Sequence, residues 1–413
     1  MLPEPAGRVI RVALVLSMIV RQFLQWLRTA PAGDRAEASS ALARAYLYSD
    51  LSPDDRAAAE GAMTMLLDDP SPLVRQALAE ALAYSPDAPA SVVYALAAEQ
   101  PRISSVVLEH SPLLIDADLV DAVATQGPLA QEAIARRIRL PRSVAAAVAE
   151  VGSAEACLIL IESIDADVAP FSIDRIVERF GHLAAIREAL LARRDVSVAT
   201  RQALMVKLSA TLYDFVTARD WLKPDRARRV TSEACEKATV MLAAHAPETE
   251  LESLIGHLRE TGQLTAGLIL RALLSGNLAL FEEALADLSG LPLTRVVGLV
   301  HDRGSAGFRA VYEKAGLPTS TYPAFREAIA TLQEDGYLGD PAGATRLKRR
   351  MVERVLTRCE DMVPGDIAPL MTLLRRFATE AAREEARMFC EDLVAGYVPD
   401  YGGYCDYDRQ DAA

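Results

Sequence analysis

The chain has 413 residues, 51% apolar but only 6% aromatic, so Ala, Leu and Val must fill its core, which suits closely packed helices better than sheets. A net charge of −13 and a pI near 5.0 repel phosphate backbones and disfavour nucleic acid as a partner. Five cysteines, Cys157, Cys235, Cys359, Cys390 and Cys405, are odd in number and form no C-x-x-C pair, which indicates neither a disulfide framework nor a zinc site and fits a reducing cytoplasm.

At the amino end, Val9 to Val20 is apolar apart from Arg11 and Ser17, too short a run to span a bilayer. The basic, amphipathic continuation Arg21-Gln22-Phe23-Leu24-Gln25-Trp26-Leu27-Arg28 argues against a signal-peptide cleavage site. Residues 1–32 are read as a separate N-terminal segment with translation starting at Met18, so that residues 1–17 are not translated. The alternatives are an ordinary first helix and a membrane-surface contact through residues 8–28; apart from such a contact a membrane is not an expected partner. From Ala36 to Tyr48 the pattern is helical, and in the following Ser52-Pro53-Asp54-Asp55 a capping serine, a first-turn proline and two aspartates open the next helix.

A decapeptide pattern then occurs twice, Asp-x-Ser-x-x-x-Arg-Gln-Ala-Leu, at Asp69 to Leu78 and at Asp195 to Leu204. In each copy the serine, Ser71 or Ser197, stands where an N-cap hydroxyl accepts a bond from an unpaired N–H of the first turn. Asp69, Ser71 and Arg75, with Asp195, Ser197 and Arg201, are therefore structural repeat positions. After Ser71, Val74, Ala77, Leu78, Ala81 and Leu82 line one helical face. Turn markers recur at Asp69-Pro70, Gln100-Pro101, Gly127-Pro128 and Gly152-Ser153, with apolar helical stretches between them. Lys223-Pro224-Asp225 breaks the alternation and predicts a boundary, with repeats at 33–222 and a second helical-repeat region at 223–395. Gly290-Leu291-Pro292 and Gly316-Leu317-Pro318 each end one helix at Gly and allow the next to begin at Pro. Residues 396–413 are rich in Tyr, Asp and Gly, carry no helical stripe and read as a flexible tail. Spaced self-similarity without period-two alternation predicts an all-α fold, an α-solenoid of HEAT-like helical hairpins.

Several stretches carry a resemblance: Arg21 to Trp26, Ala43-Arg44-Ala45-Tyr46-Leu47-Tyr48-Ser49-Asp50-Leu51-Ser52-Pro53, the Asp69 decapeptide, Glu178-Arg179-Phe180-Gly181 and Tyr312-Glu313-Lys314-Ala315-Gly316-Leu317-Pro318. Over roughly residues 18 to 390 the chain resembles the bacterial DUF2336 family, a domain of unknown function with HEAT-like repeats. The resemblance implies a helical-repeat fold and transfers no catalytic residue.

Candidate contact residues come from charge rows and from the tail. Arg346, Arg350, Arg354 and Arg358 recur every four residues on one predicted helix, with Lys348 and Arg349 beside them, a basic stripe suited to an acidic or phosphorylated partner. The alternative is a solvated face neutralised by Glu380, Glu384 and Glu385. Arg136, Arg137, Arg139 and Arg142 surround a helix end, where they complement its dipole. Arg226, Arg228 and Arg229 follow Trp221 and either stack on it or form a surface cluster. Tyr397, Tyr401, Tyr404 and Tyr407 offer contact area with polar tips. The five histidines, His110, His182, His245, His257 and His301, have no metal-ligand spacing, and no cofactor motif is present. The expected function is a non-catalytic, cytoplasmic protein-interaction scaffold. The alternatives are a DNA-repair protein resembling the helical-repeat alkylpurine glycosylases, and a small-molecule lyase on helical repeats.

Overall fold

The structure is a computed structural model that describes residues 25–26, 29–302, 305–335, 341–360 and 364–396. The segment through Leu24, including Met18, and Tyr397, Tyr401, Tyr404 and Tyr407 lie outside the described residues. Those described form 21 helices and no strand, so the fold is all-α. Two compact units meet in sequence between Val196 and Ser197. The boundary expected at 222/223 is instead the turn of a hairpin within the second unit, whose two helices pack along each other.

Unit 1 contains α1 (Ala32–Tyr48), α2 (Pro53–Leu66), α3 (Pro72–Leu82), α4 (Ala90–Ala97), α5 (Pro101–His110), α6 (Asp116–Thr125), α7 (Pro128–Ala135), α8 (Arg142–Val151), α9 (Ala154–Glu162), α10 (Pro170–Phe180) and α11 (Ala184–Ala192). Proline occupies the first turn of α2, α3, α5, α7 and α10, where its missing N–H costs nothing and its φ is already helical. Most helices pack on the next but one: α1 on α3, α3 on α5, α5 on α7, α7 on α9 and α9 on α11, with α6 on α8 and α8 on α10 in a second layer. The buried faces are narrow and built from small residues, such as Val144, Ala145, Val148 and Ala149 of α8, which lets neighbouring backbones approach closely.

A recurring hydrogen bond fixes this stacking. The last carbonyls of a helix lack intrahelical partners, and here a side chain at the end of the next helix in the same layer takes them. Arg137 after α7 donates to Leu108 O at 2.6 Å and Ser111 O at 2.8 Å at the end of α5. Arg179 of α10 donates to Ala149 O and Gly152 O at the end of α8, both at 2.7 Å. Arg193 after α11 reaches Ile161 O of α9 at 2.8 Å, and Gln126 after α6 reaches Ala97 O of α4 at 3.0 Å. Because C-terminal ends lie side by side, the helices of a layer run parallel.

Unit 2 contains α12 (Val198–Ala218), α13 (Pro224–Ala244), α14 (Glu248–Glu260), α15 (Ala266–Leu274), α16 (Leu278–Ser289), α17 (Leu293–His301), α18 (Ser305–Lys314), α19 (Tyr322–Asp335), α20 (Pro341–Glu360) and α21 (Pro364–Gly396). Next-but-one packing recurs for α12 on α14, α13 on α15, α14 on α16 and α16 on α18, after which α19, α20 and α21 pack in succession, and α19 and α20 also return to α15. Every residue of α15 from Leu268 to Leu274 is buried, so a short helix that is apolar nearly all round forms the centre of this unit. Gly290 and Gly316 close α16 and α18 at φ 63° and 69°, a left-handed conformation that a side chain would strain.

Candidate interaction surfaces

The residues that carried the resemblance serve the frame. Tyr46 donates to Glu60 Oε1 at 3.1 Å and lies under the Arg56 guanidinium, joining α1 to α2. Arg179 caps α8 and stands 4.5 Å over the Phe180 ring. Tyr312 is buried, its hydroxyl donates to Pro318 O at 2.7 Å across the Gly316 turn, and burial pushes its pKa up. Sequence reasoning gave these positions no mechanism, because their partners are backbone carbonyls or lie on other helices.

The two decapeptides agree in caps only in part. Ser197 accepts from Thr200 N–H at 3.1 Å, as expected. Ser71 makes no such cap; instead its own N–H donates to Asp69 Oδ1 at 2.8 Å, and Asp69 is gripped by Arg35 through two bonds of 2.9 Å. Burial opposes ionisation of Asp69, but Arg35 and the Ser71 N–H outweigh it and hold its pKa below the usual carboxylate value. Arg75 donates to Asp69 O and pairs with Glu99 at 3.2 Å. Asp195 is held by Arg193, two residues away, at 2.6 Å, so the second aspartate grips a local arginine and the first a helix-bridging one. Arg201 is half-buried on α12.

The parallel helices α1, α3, α5, α7 and α9 bring their C-terminal ends to one edge of unit 1. Exposed there are Tyr48 at 80%, Tyr84 at 65%, Ile138 at 82% and Ile164 at 97% of their surface. Tyr84 stacks on His110 at 4.5 Å, which ties two of these ends together. Beside Ile164, the ends of α9 and α11 frame a hollow of about 730 Å³ lined by Ile161, Ile164, Ala189, Arg193 and Asp195. Of the arginines expected to complement the end of α7, Arg137 serves α5 instead, Arg136 pairs with Glu132 at 2.9 Å and Arg142 with Asp167 at 3.0 Å. Arg139 closes the turn at φ 55°. Only the backbone path, which lays α5 against α7, decides this.

In unit 2 the basic row lies on α20, and much of it is engaged within the bundle. Lys348 pairs with Glu384 at 2.6 Å, Arg349 with Glu353 at 2.7 Å and with Glu385, and Arg354 with Glu327 at 3.2 Å and with Glu334. These carboxylates raise the pKa of Arg349 and Arg354. Arg350 and Arg358 are exposed, and the Arg346 side chain lies outside the described residues. Glu384 and Glu385 thus neutralise part of the row, while Glu380 turns to a different group.

That group centres on Arg271 of α15, only 5% exposed. Its Nη1 donates to Glu380 at 3.0 Å, its guanidinium stands 4.2 Å over Phe377, and its Nε lies 3.7 Å from Glu236 without a hydrogen bond. Lys237 also holds Glu380, at 2.5 Å, and Arg376 pairs with Glu233. Burial opposes ionisation of Glu380, yet Lys237 and Arg271 outweigh it and its pKa is lowered; burial of Glu236, only partly offset by Arg271, raises its pKa. A cleft of about 510 Å³ opens over these residues toward Arg383 and Arg387. The charges of opposite sign largely satisfy one another, as in an ion network that registers α21 against α13 and α15.

The distal parts of α12 and α13 form an arm with an apolar cleft of about 310 Å³, lined by Met205, Leu212, Val216, Leu222, Val230 and Ala234 among others. Arg226, Arg228 and Arg229 do not stack on Trp221: Arg219 does, 5.8 Å from its ring and 3.7 Å from that of Phe215, while Arg228 lies 5.8 Å from Tyr213 and 3.9 Å from Asp225. Among the described residues no cluster of three or more His, Cys, Asp or Glu is arranged to hold a metal, and no helix is long and apolar enough to cross a membrane. His301 pairs with Glu282 at 2.6 Å, and the His245 ring contacts Met241 O at 2.8 Å. Cys157, Cys235 and Cys390 are free thiols.

No curated protein and no solved structure matches the chain. The profile of a bacterial family described as "Uncharacterised protein conserved in bacteria" (DUF2336) matches residues 103–364, a span that runs from α5 through the core of unit 2. With most of its length covered by that match, the chain belongs to the DUF2336 family.

Proposed function

We propose that this chain is a non-catalytic interaction protein, a scaffold that works in the cytoplasm and holds a protein partner along the C-terminal edge of the odd-numbered helices of unit 1. The observation that carries this reading is the display of Tyr48, Tyr84, Ile138 and Ile164, exposed at the ends of four of the five helices α1, α3, α5, α7 and α9 along one edge. Exposed apolar groups spaced by a repeat suit an extended or helical partner that meets each in turn. Chemistry finds little support in the described side chains: burial pushes the Cys157 thiol up to about 11, and the charged groups around Arg271 are committed to one another. A repair-enzyme reading would need a cationic concave groove, whereas Trp221, Arg226 and Arg229 stand at the turn end of the α12/α13 hairpin beside an apolar cleft.

Crosslinking and mass spectrometry in the source cells test this reading. Partner crosslinks are expected to concentrate on the ends of α3, α7 and α9 and to disappear in a Tyr84→Ser, Ile138→Ser, Ile164→Ser variant whose circular dichroism is unchanged. A crosslink pattern indifferent to the three substitutions overturns the edge as the contact.

A further inference from the structure

Among the described residues of unit 2, most of the exposed large apolar side chains, Leu208, Leu212, Phe215, Trp221, Val230 and Met241, lie on the one hairpin of α12 and α13. Between Met205 and Ala238 the one buried residue is Ala227, although Leu208, Leu212, Phe215, Leu222 and Val230 all lie in this span. The turn at its end is built to hold a conformation. Asp220 takes φ 55°, its N–H donates to Thr217 O at 3.0 Å, and Trp221 N–H donates to Val216 O at 3.1 Å, a left-handed helix cap. The cap turns Trp221 outward, 64% exposed and edge-on to Phe215 at 5.5 Å.

Charge is sorted the same way. From Leu212 to Thr231 the five cations Arg219, Lys223, Arg226, Arg228 and Arg229 face three aspartates, in a chain whose net charge is −13. Farther back on α13, Glu233 and Lys237 turn to Arg376 and Glu380 of α21 and not to the apolar cleft. An acidic helix laid along the cleft would meet no cation among the residues that line it. A duplex would find apolar walls where phosphates need donors. The end of the arm instead gathers tryptophan, phenylalanine, leucine and cations, the composition that suits an anionic bilayer interface.

We propose that the end of the α12/α13 arm docks on an anionic bilayer surface, with Trp221, Phe215 and Leu222 entering the interface and Arg219, Lys223, Arg226, Arg228 and Arg229 meeting lipid phosphates. The site is separate from the unit 1 edge and stands or falls independently of it.

The test uses the full chain carrying Trp26→Phe, which leaves Trp221 as the one tryptophan. It is mixed with phosphatidylcholine vesicles, with or without phosphatidylglycerol. The expected result is co-sedimentation with the phosphatidylglycerol vesicles, a shift of Trp221 emission to shorter wavelength, and loss of both at high salt. Replacing Arg226, Arg228 and Arg229 by Gln weakens binding about a hundredfold. Since these side chains are exposed, an unchanged melting curve verifies the variant's fold. Co-sedimentation without a Trp221 shift means that another segment holds the vesicle, and it overturns the proposal. So does equal binding to phosphatidylcholine alone, an unaffected triple variant, or a Trp221 shift produced by duplex DNA and not by vesicles.

Discussion

Arg137 shows how one side chain carries the repeat. Its guanidinium is half withdrawn from water, and burial lowers its pKa, but two carbonyls at the end of α5 accept hydrogen bonds from it. Hydrogen bonds from a charged group contribute roughly 1.5–3 kcal/mol, and Arg137→Ala would also leave Leu108 O and Ser111 O without this donor. A loss of about 2 kcal/mol is expected in urea denaturation, against less than about 0.5 kcal/mol for Arg136→Ala, whose partner is an exposed pair one turn away. Equal losses for the two would refute the capping role. From the sequence, prolines and capping residues were legible, since Pro72, Pro128, Ser52 and Ser197 act on atoms three or fewer residues away. Arg137 and Arg179 were not, because their acceptors lie some thirty positions upstream and are backbone atoms that no residue name reveals.

Among elements, α15 and the arm stand at opposite extremes. Helix α15 is enclosed and carries one buried cation, so the carboxylates around it decide its cost. Replacing Glu380 by Gln removes the one hydrogen-bonded carboxylate of Arg271 and is expected to cost about 2 kcal/mol near neutral pH. The lowered pKa of Glu380 means that its contribution is present above the usual carboxylate range and is lost as pH falls through its folded value. Glu236 has the opposite sign: its raised pKa favours folding at low pH, and that benefit is lost as pH rises through its folded value. Glu236→Gln should therefore raise stability slightly at neutral pH, and denaturation curves of the two variants from acid to neutral pH check the pair of signs. The arm also explains the misplaced boundary. Lys223-Pro224-Asp225 interrupts the helical pattern as a linker would, but the flanking stripes, Leu208, Leu212 and Phe215 before it and Val230 and Ala234 after it, belong to one hairpin.

At the scale of the whole chain, each unit has its own apolar interior. The cluster around Phe281, Phe325 and Leu270 draws entirely on residues from Val198 onward. Leu270→Ala should cost about 2–5 kcal/mol, and calorimetry should show the unfolding of unit 2 moving to lower temperature while that of unit 1 stays. A single transition that shifts as a whole would show that the two interiors melt together. The helical class and the family were readable over this length because they rest on periodicity and short motifs. The surfaces were not, because exposure depends on which helix lies beside which.

The capping bonds between alternate helices have an evolutionary reach. Arginine or glutamine at a helix end recognises peptide oxygen, which every amino acid supplies, so the neighbour it clasps can change almost all of its side chains without loosening the clasp. A lineage built on such joints is free to drift until its repeats no longer look alike, while the pile of helices stays in register. The stack accordingly continues through α9, α10 and α11, although the turn markers that recur in the sequence end at Gly152-Ser153.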